Sequence, residues 1–118
     1  MSLRALVDGL LATLVAPVCA ICGAVLERPL DGAACPACWA RVLRYSPPLC
    51  RVCGEPRPSD RAGDTCGVCD VDLGAIAAAR SLGPYEGVLA DLVQACKYGR
   101  RPSIGDGLGV ALRAVVRA

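Results

Sequence analysis

Apolar positions along the chain fall into three stretches of helical spacing, one short unbroken run, and a long middle with no period at all. Leu3, Leu6, Val7, Leu10, Leu11 and Leu14 recur at steps of three and four, which puts them on one face of an amphipathic helix that Pro17 would end. That spacing predicts an N-terminal helix over residues 1–17 that packs its apolar face against the rest of the chain. The stretch could also pass for the core of a secretion signal, but Asp8 interrupts it, and Ala16-Pro17-Val18 before Cys19 is a poor lipoprotein cleavage context. Ala75 to Leu82 is a run of small and apolar residues broken by Gly83-Pro84, and it reads as a strand. Val88, Leu89, Leu92, Val93 and Cys96 mark a helix between Glu86 and Tyr98, stopped by Gly99. Ile104, Leu108, Ala111, Leu112 and Val115 give a last helical stripe, whose first turns Gly105, Gly107 and Gly109 weaken.

The middle, residues 18–70, is punctuated by cysteine instead. Four C-x-x-C pairs occur: Cys19/Cys22, Cys35/Cys38, Cys50/Cys53 and Cys66/Cys69. Adding 31 to each cysteine of the first two pairs lands on a cysteine of the last two, and the same shift carries Pro17 to Pro48, Gly23 to Gly54 and Gly32 to Gly63. A fixed period with matching punctuation marks one supersecondary unit copied in tandem. Zinc takes four soft ligands tetrahedrally at about 2.3 Å, and two thiolates separated by two residues can share one ion. The glycine after the first pair of each copy suits the tight turn that aims backbone N–H groups at the sulfurs. About a dozen residues separate the pairs within each copy, room for a short β-hairpin, with Asp31-Gly32 and Gly63-Asp64 as turn residues.

Each copy should therefore close its own site, Cys19, Cys22, Cys35 and Cys38 in one and Cys50, Cys53, Cys66 and Cys69 in the other. An interleaved cross-brace uses the same ligands and is the second arrangement that the spacing allows. Disulfides within each C-x-x-C would close only tiny loops and suit a secreted chain. A thioredoxin-like redox role does not explain four pairs. Both ions would be structural, because four thiolates leave no open position for water. The chain has no histidine, which removes histidine bases, Ser-His-Asp triads and the usual catalytic zinc sets, so no catalytic residue is expected.

With no Phe and one Trp, Trp39, the middle segment is poor in large apolar groups, so metal binding would decide its folding. The formal charge of +2 assumes neutral thiols. Eight thiolates and two divalent ions bring it to about −2, so global charge gives no support for nucleic-acid binding. Lys97, Arg100 and Arg101, with Tyr98 beside them, form one local basic cluster. It fits a phosphate or nucleic-acid contact, but those charges suit a helix C-terminus, whose dipole they offset, without any ligand. Cys96, the ninth cysteine, falls on an apolar stripe and reads as a small buried hydrophobe. Reduced cysteines point to the cytoplasm, with no membrane span.

The order of these parts resembles the ComF family. An apolar helix leads into P-x-C-x-x-C-G, C-x-x-C, P-L-C-x-x-C-G and C-x-x-C, then Gly83-Pro84-Tyr85-Glu86-Gly87 and Leu92-Val93-Gln94-Ala95-Cys96-Lys97-Tyr98-Gly99. The resemblance implies a double zinc ribbon of β-hairpins at 18–70, followed at 71–118 by the first elements of an α/β phosphoribosyltransferase-like domain. It also implies a part in DNA uptake during competence, with single-stranded DNA or uptake proteins as partners. The family's phosphoribosyl pyrophosphate loop has no counterpart here: Gly63-Asp64-Thr65 lies inside a ribbon, and Gly105-Asp106-Gly107-Leu108-Gly109 lacks a preceding strand. The resemblance thus implies a truncated domain and no transferase activity for this chain.

Overall fold

A computed structural model describes residues 2–71 and 75–117. It contains helices α1 (Leu3–Leu14), α2 (Pro36–Ala40), α3 (Gly67–Val71), α4 (Gly87–Tyr98) and α5 (Pro102–Arg117), with a 3-10 turn at Pro29–Asp31. The chain divides into two units, Met1–Val42 with Tyr85–Val110, and Leu43–Pro84 with Ala111–Ala118.

In the first unit, the Ser2 hydroxyl caps α1 by accepting from the Ala5 N–H at 3.2 Å. The helix is anchored by its polar side. Asp8 is only 4% exposed, and its carboxylate accepts from the Leu30 N–H at 2.9 Å. Arg4 pairs with Asp31 at 2.5 Å and donates to the Leu30 carbonyl at 3.2 Å. The expected packing of the leucine face is therefore corrected: Leu3, Leu6, Leu10 and Leu14 all face outward. The 3-10 turn offers an N–H, a carbonyl and a carboxylate, and these select the helix side that can hydrogen-bond. The core of this unit includes Leu26 and Cys38 from the ribbon, Leu92 from α4 and Ile104 from α5.

In α4 and α5 the sequence-predicted helices form, glycines included. The left-handed residue between them is Arg100, at φ +54°, rather than Gly99, at φ −89°. Cys96 is half-buried beside Gly105.

The second unit has a core made largely of its own cysteines. Cys50, Val52 and Cys69 are buried together, with Cys53 and Cys66 against them. The residues at 75–82 do not form the expected strand. They run as irregular chain past the second ribbon, held by one backbone bond from Ala79 N–H to the Val52 carbonyl (2.6 Å) and one from Tyr45 N–H to the Leu82 carbonyl (3.1 Å). Two bonds to different partners make no ladder, and alanines at 77–79 bring little side chain to a pleated face. Residues 72–74, just before that run, lie outside the described residues.

No β-strand occurs among the described residues, so the expected hairpins are also corrected. Each ribbon closes with a single antiparallel bridge, Val18 to Val25 and Leu49 to Pro56. Prolines at 17, 29, 36, 48, 56 and 58 remove ladder donors around both knuckles.

Candidate metal centres

The duplication seen in the cysteine spacing extends to the backbone. Cys19 N–H bonds the Ala24 carbonyl at 2.7 Å, and Cys50 N–H bonds that of Glu55 at 2.8 Å. Gly23 N–H to Cys19 and Gly54 N–H to Cys50 are both 3.0 Å. Ala20 N–H reaches Ala33, as Arg51 N–H reaches Asp64. Each of these bonds maps onto its partner by the 31-residue shift. Gly23 and Gly54 turn each knuckle at φ +76° and +75°, where a Cβ would be strained.

The second pair of each copy starts a short helix. Cys35 precedes Pro36 at the start of α2, and Cys66 precedes α3. The Cys35 N–H points back to the Cys19 sulfur and the Cys66 N–H to the Cys50 sulfur, both at 3.3 Å. With the Ala20–Ala33 and Arg51–Asp64 backbone bonds, this contact joins the two halves of each site.

The ligand atoms of Cys19, Cys22, Cys35 and Cys38 all lie within 4.8 Å of one another, as do those of Cys50, Cys53, Cys66 and Cys69. Contacts of 3.8 Å for Cys19–Cys38, 3.7 Å for Cys22–Cys35 and 3.8 Å for Cys53–Cys66 set the scale. The edge of a regular tetrahedron with zinc–sulfur bonds of about 2.3 Å is about 3.8 Å. A disulfide would bring two sulfurs to about 2.05 Å, and all nine cysteines are free. The pairing is sequential, one site per copy, and the cross-brace is not formed.

The thiols differ in their surroundings. Burial works to raise Cys19, but the backbone N–H groups of Cys22, Cys35 and Ile21 outweigh it and bring the thiol down to about 6. At Cys50 the Cys53 N–H leads, with those of Cys66 and Val52, and again the value falls to about 6. Burial pushes Cys38 and Cys69 up to about 12, reinforced by the neighbouring cysteines. Four adjacent thiols, two of them buried in each site, cannot all ionise side by side without a cation. A divalent ion at the centre supplies the missing charge, and the N–H groups then orient the sulfurs around it. These two donor sets fit two structural zinc ions.

A family model for the double zinc ribbon domain matches residues 10–75. The chain belongs to that family. No curated protein and no solved structure matches it. Within this double zinc ribbon, charged side chains brace the second copy: Arg51 pairs with Asp64 at 2.8 Å, and Asp70 accepts from both Arg61 and Thr65. Those two donors hold the Asp70 carboxyl below its ordinary value.

Lys97 lies in the last turn of α4, and Arg100 and Arg101 occupy the junction with α5. All three are exposed, as is Tyr98, and none forms an ion pair among the described residues. No helix among the described residues is long and apolar enough to cross a membrane.

Two features escaped sequence reasoning. One is the outward turn of the α1 leucines. The other is a cleft of about 580 Å³ beside the first centre, walled by Val25, Pro36 and Trp39, with Glu27, Arg28 and Asp31 as its charged lining. Asp8 was the available signal for the first, as the one acidic residue within the helical period. Nothing in the apolar spacing announces the second, whose walls come from the stretch after the first knuckle and from α2.

Proposed function

We propose that this chain is the binding module of a ComF-like protein, associated with DNA uptake, in which two structural zinc ions hold a scaffold that contacts single-stranded nucleic acid at the α4–α5 junction. Support comes from the exposed group of Lys97, Tyr98, Arg100 and Arg101, cations with no acidic partner among the described residues beside an exposed ring. Phosphates attract such cations, and a base can stack on the tyrosine. The module is non-catalytic in this reading, because its metal centres are closed and the chain has no histidine. The following phosphoribosyltransferase-like portion rests on the resemblance of the Tyr85-Glu86-Gly87 and Cys96-Lys97-Tyr98-Gly99 stretches, and a cytoplasmic setting on the reduced thiols.

Fluorescence anisotropy of a labelled oligothymidylate measures the claim. Affinity should fall with salt between about 50 and about 200 mM, and neutralising all three cations to glutamine should flatten the log–log slope by about 2. Absence of binding at low salt, or an unchanged slope in the triple variant, refutes it.

A second reading, a protein-docking adaptor, is favoured by the cleft beside the first centre. Its lining is largely apolar, and its charged residues Glu27, Arg28 and Asp31, with the four-thiolate site behind Cys35, leave it with no net attraction for phosphate. Failure of DNA binding, with peptide-dependent quenching of Trp39, would select it.

A further inference from the structure

We propose that α1 mediates self-association, packing its outward leucine stripe against α1 of a second copy of this chain. The helix is inverted relative to ordinary amphipathic packing. At about 100° per residue, Asp8 lies opposite the direction shared by Leu6 and Leu10. Asp8 points inward, so the leucines point out, with Leu3 77%, Leu6 49%, Leu10 59% and Leu14 78% exposed. The only charged residues on α1 are Arg4 and Asp8, and both are used against the 3-10 turn. The outward face therefore carries no charge.

That face has relief as well as hydrophobicity. Leu6, Leu10 and Leu14 form a ridge four residues apart, and Ala5, Gly9 and Thr13 line a shallow groove alongside it, with about 410 Å³ of space. A Cβ on Gly9 would meet nothing, so the groove floor is open. Ridge and groove on one helix match the groove and ridge of an identical helix related by a two-fold axis. An uncharged face brings no like-charge repulsion to such a pair.

The area is enough for a weak contact with a second copy. The exposed fractions amount to roughly 450–500 Å² of leucine surface per chain, so roughly 900–1,000 Å² for a pair. Even with complete burial this only reaches the threshold of about 1,000 Å² for a specific interface, so the association is a weak, transient one. The association is independent of both functional readings above, since neither uses α1.

Sedimentation equilibrium of the zinc-loaded full chain, from about 5 to about 500 µM, tests it. The weight-average mass should climb from one chain toward two. Leu6→Glu and Leu10→Glu should each weaken association at least about tenfold by placing a charge on the stripe. Both should still bind two zinc ions and keep the wild-type far-UV spectrum. Val110→Glu, an exposed apolar position on α5, should associate like the wild type. A wild-type chain that stays monomeric at the highest concentration overturns the proposal, whatever the variants do. Undiminished association of both glutamate variants, or its loss in Val110→Glu, overturns it equally, because the contact would then lie elsewhere.

Discussion

Alanine at Gly107 should destabilise the first unit, while alanine at Gly109 should stabilise it. Both glycines sit inside α5, where replacing glycine by alanine ordinarily gains about 1 kcal/mol. Their surroundings differ. A Cβ on Gly109 meets nothing within 4 Å, so the gain should appear in full. A Cβ on Gly107 would lie 2.5 Å from Cζ2 of Trp39, 2.9 Å from Cη2 and 3.3 Å from Cε2. Carbon atoms rest at about 3.5–4.0 Å, so the indole must retreat by about 1 Å. It is a rigid ring on the five-residue helix α2, next to the buried ligand Cys38. Overpacking of this kind costs about 1–3 kcal/mol. The two variants should thus differ by about 1–3 kcal/mol, or about 4–12 °C in melting temperature at about 4 °C per kcal/mol. Thermal denaturation of the zinc-loaded proteins, followed by fluorescence of the single tryptophan, reads the difference directly. Equal melting temperatures, or a more stable Gly107→Ala, would refute the view that Gly107 exists to admit Trp39.

The metal centres carry further expectations. Full chelation should abolish the folded spectrum of the ribbons, because a structural zinc contributes about 10–16 kcal/mol where whole domains hold about 5–15; an unchanged far-UV spectrum after zinc removal counts against it. Cys38→Ser should lower the zinc stoichiometry from two ions to one and spare the second centre, which shares no ligand with the first; mass spectrometry under native conditions counts the ions, and loss of both would show that the centres are not independent. Ala16→Gly should stabilise by about 1 kcal/mol, because Ala16 sits at φ +46° between α1 and Pro17; an unaltered or lowered denaturation midpoint would speak against strain there.

The cysteine framework was legible in the sequence as eight ligands in two copies at a fixed offset. Metal chemistry makes ligand identity and spacing nearly sufficient, and duplication repeats the argument at a fixed offset. Helices α1, α4 and α5 were legible from periodicity for a similar reason, since each is a local pattern read within one or two dozen residues. The small-residue run at 75–82 was not, because a strand exists only where another strand offers a ladder, and the described residues offer none. The hairpins failed likewise: once four sulfurs hold an ion, one bridge per knuckle is enough, and the prolines forbid more.

The three glycines of α5 show the boundary between the two kinds of information. In the sequence they count only as a penalty to helix formation. In the folded unit, Gly107 makes room for an indole from a segment almost seventy residues earlier and Gly105 sits against Cys96, so part of that penalty is returned as packing. The α1 helix makes the same point with function at stake. Periodicity grouped its leucines on one face, yet could not say which face turns inward. A 3-10 turn with an N–H, a carbonyl and a carboxylate to satisfy decided that, drawing in Asp8 and Arg4 and leaving the leucines outside. The sequence by itself determined the ligands, their tandem duplication and the helical periods, because these depend on local spacing and on the chemistry of one ion, while the folded chain chose sequential pairing over the cross-brace. Tertiary structure alone decided which polar groups found partners, and so which apolar surface was left for another molecule to cover.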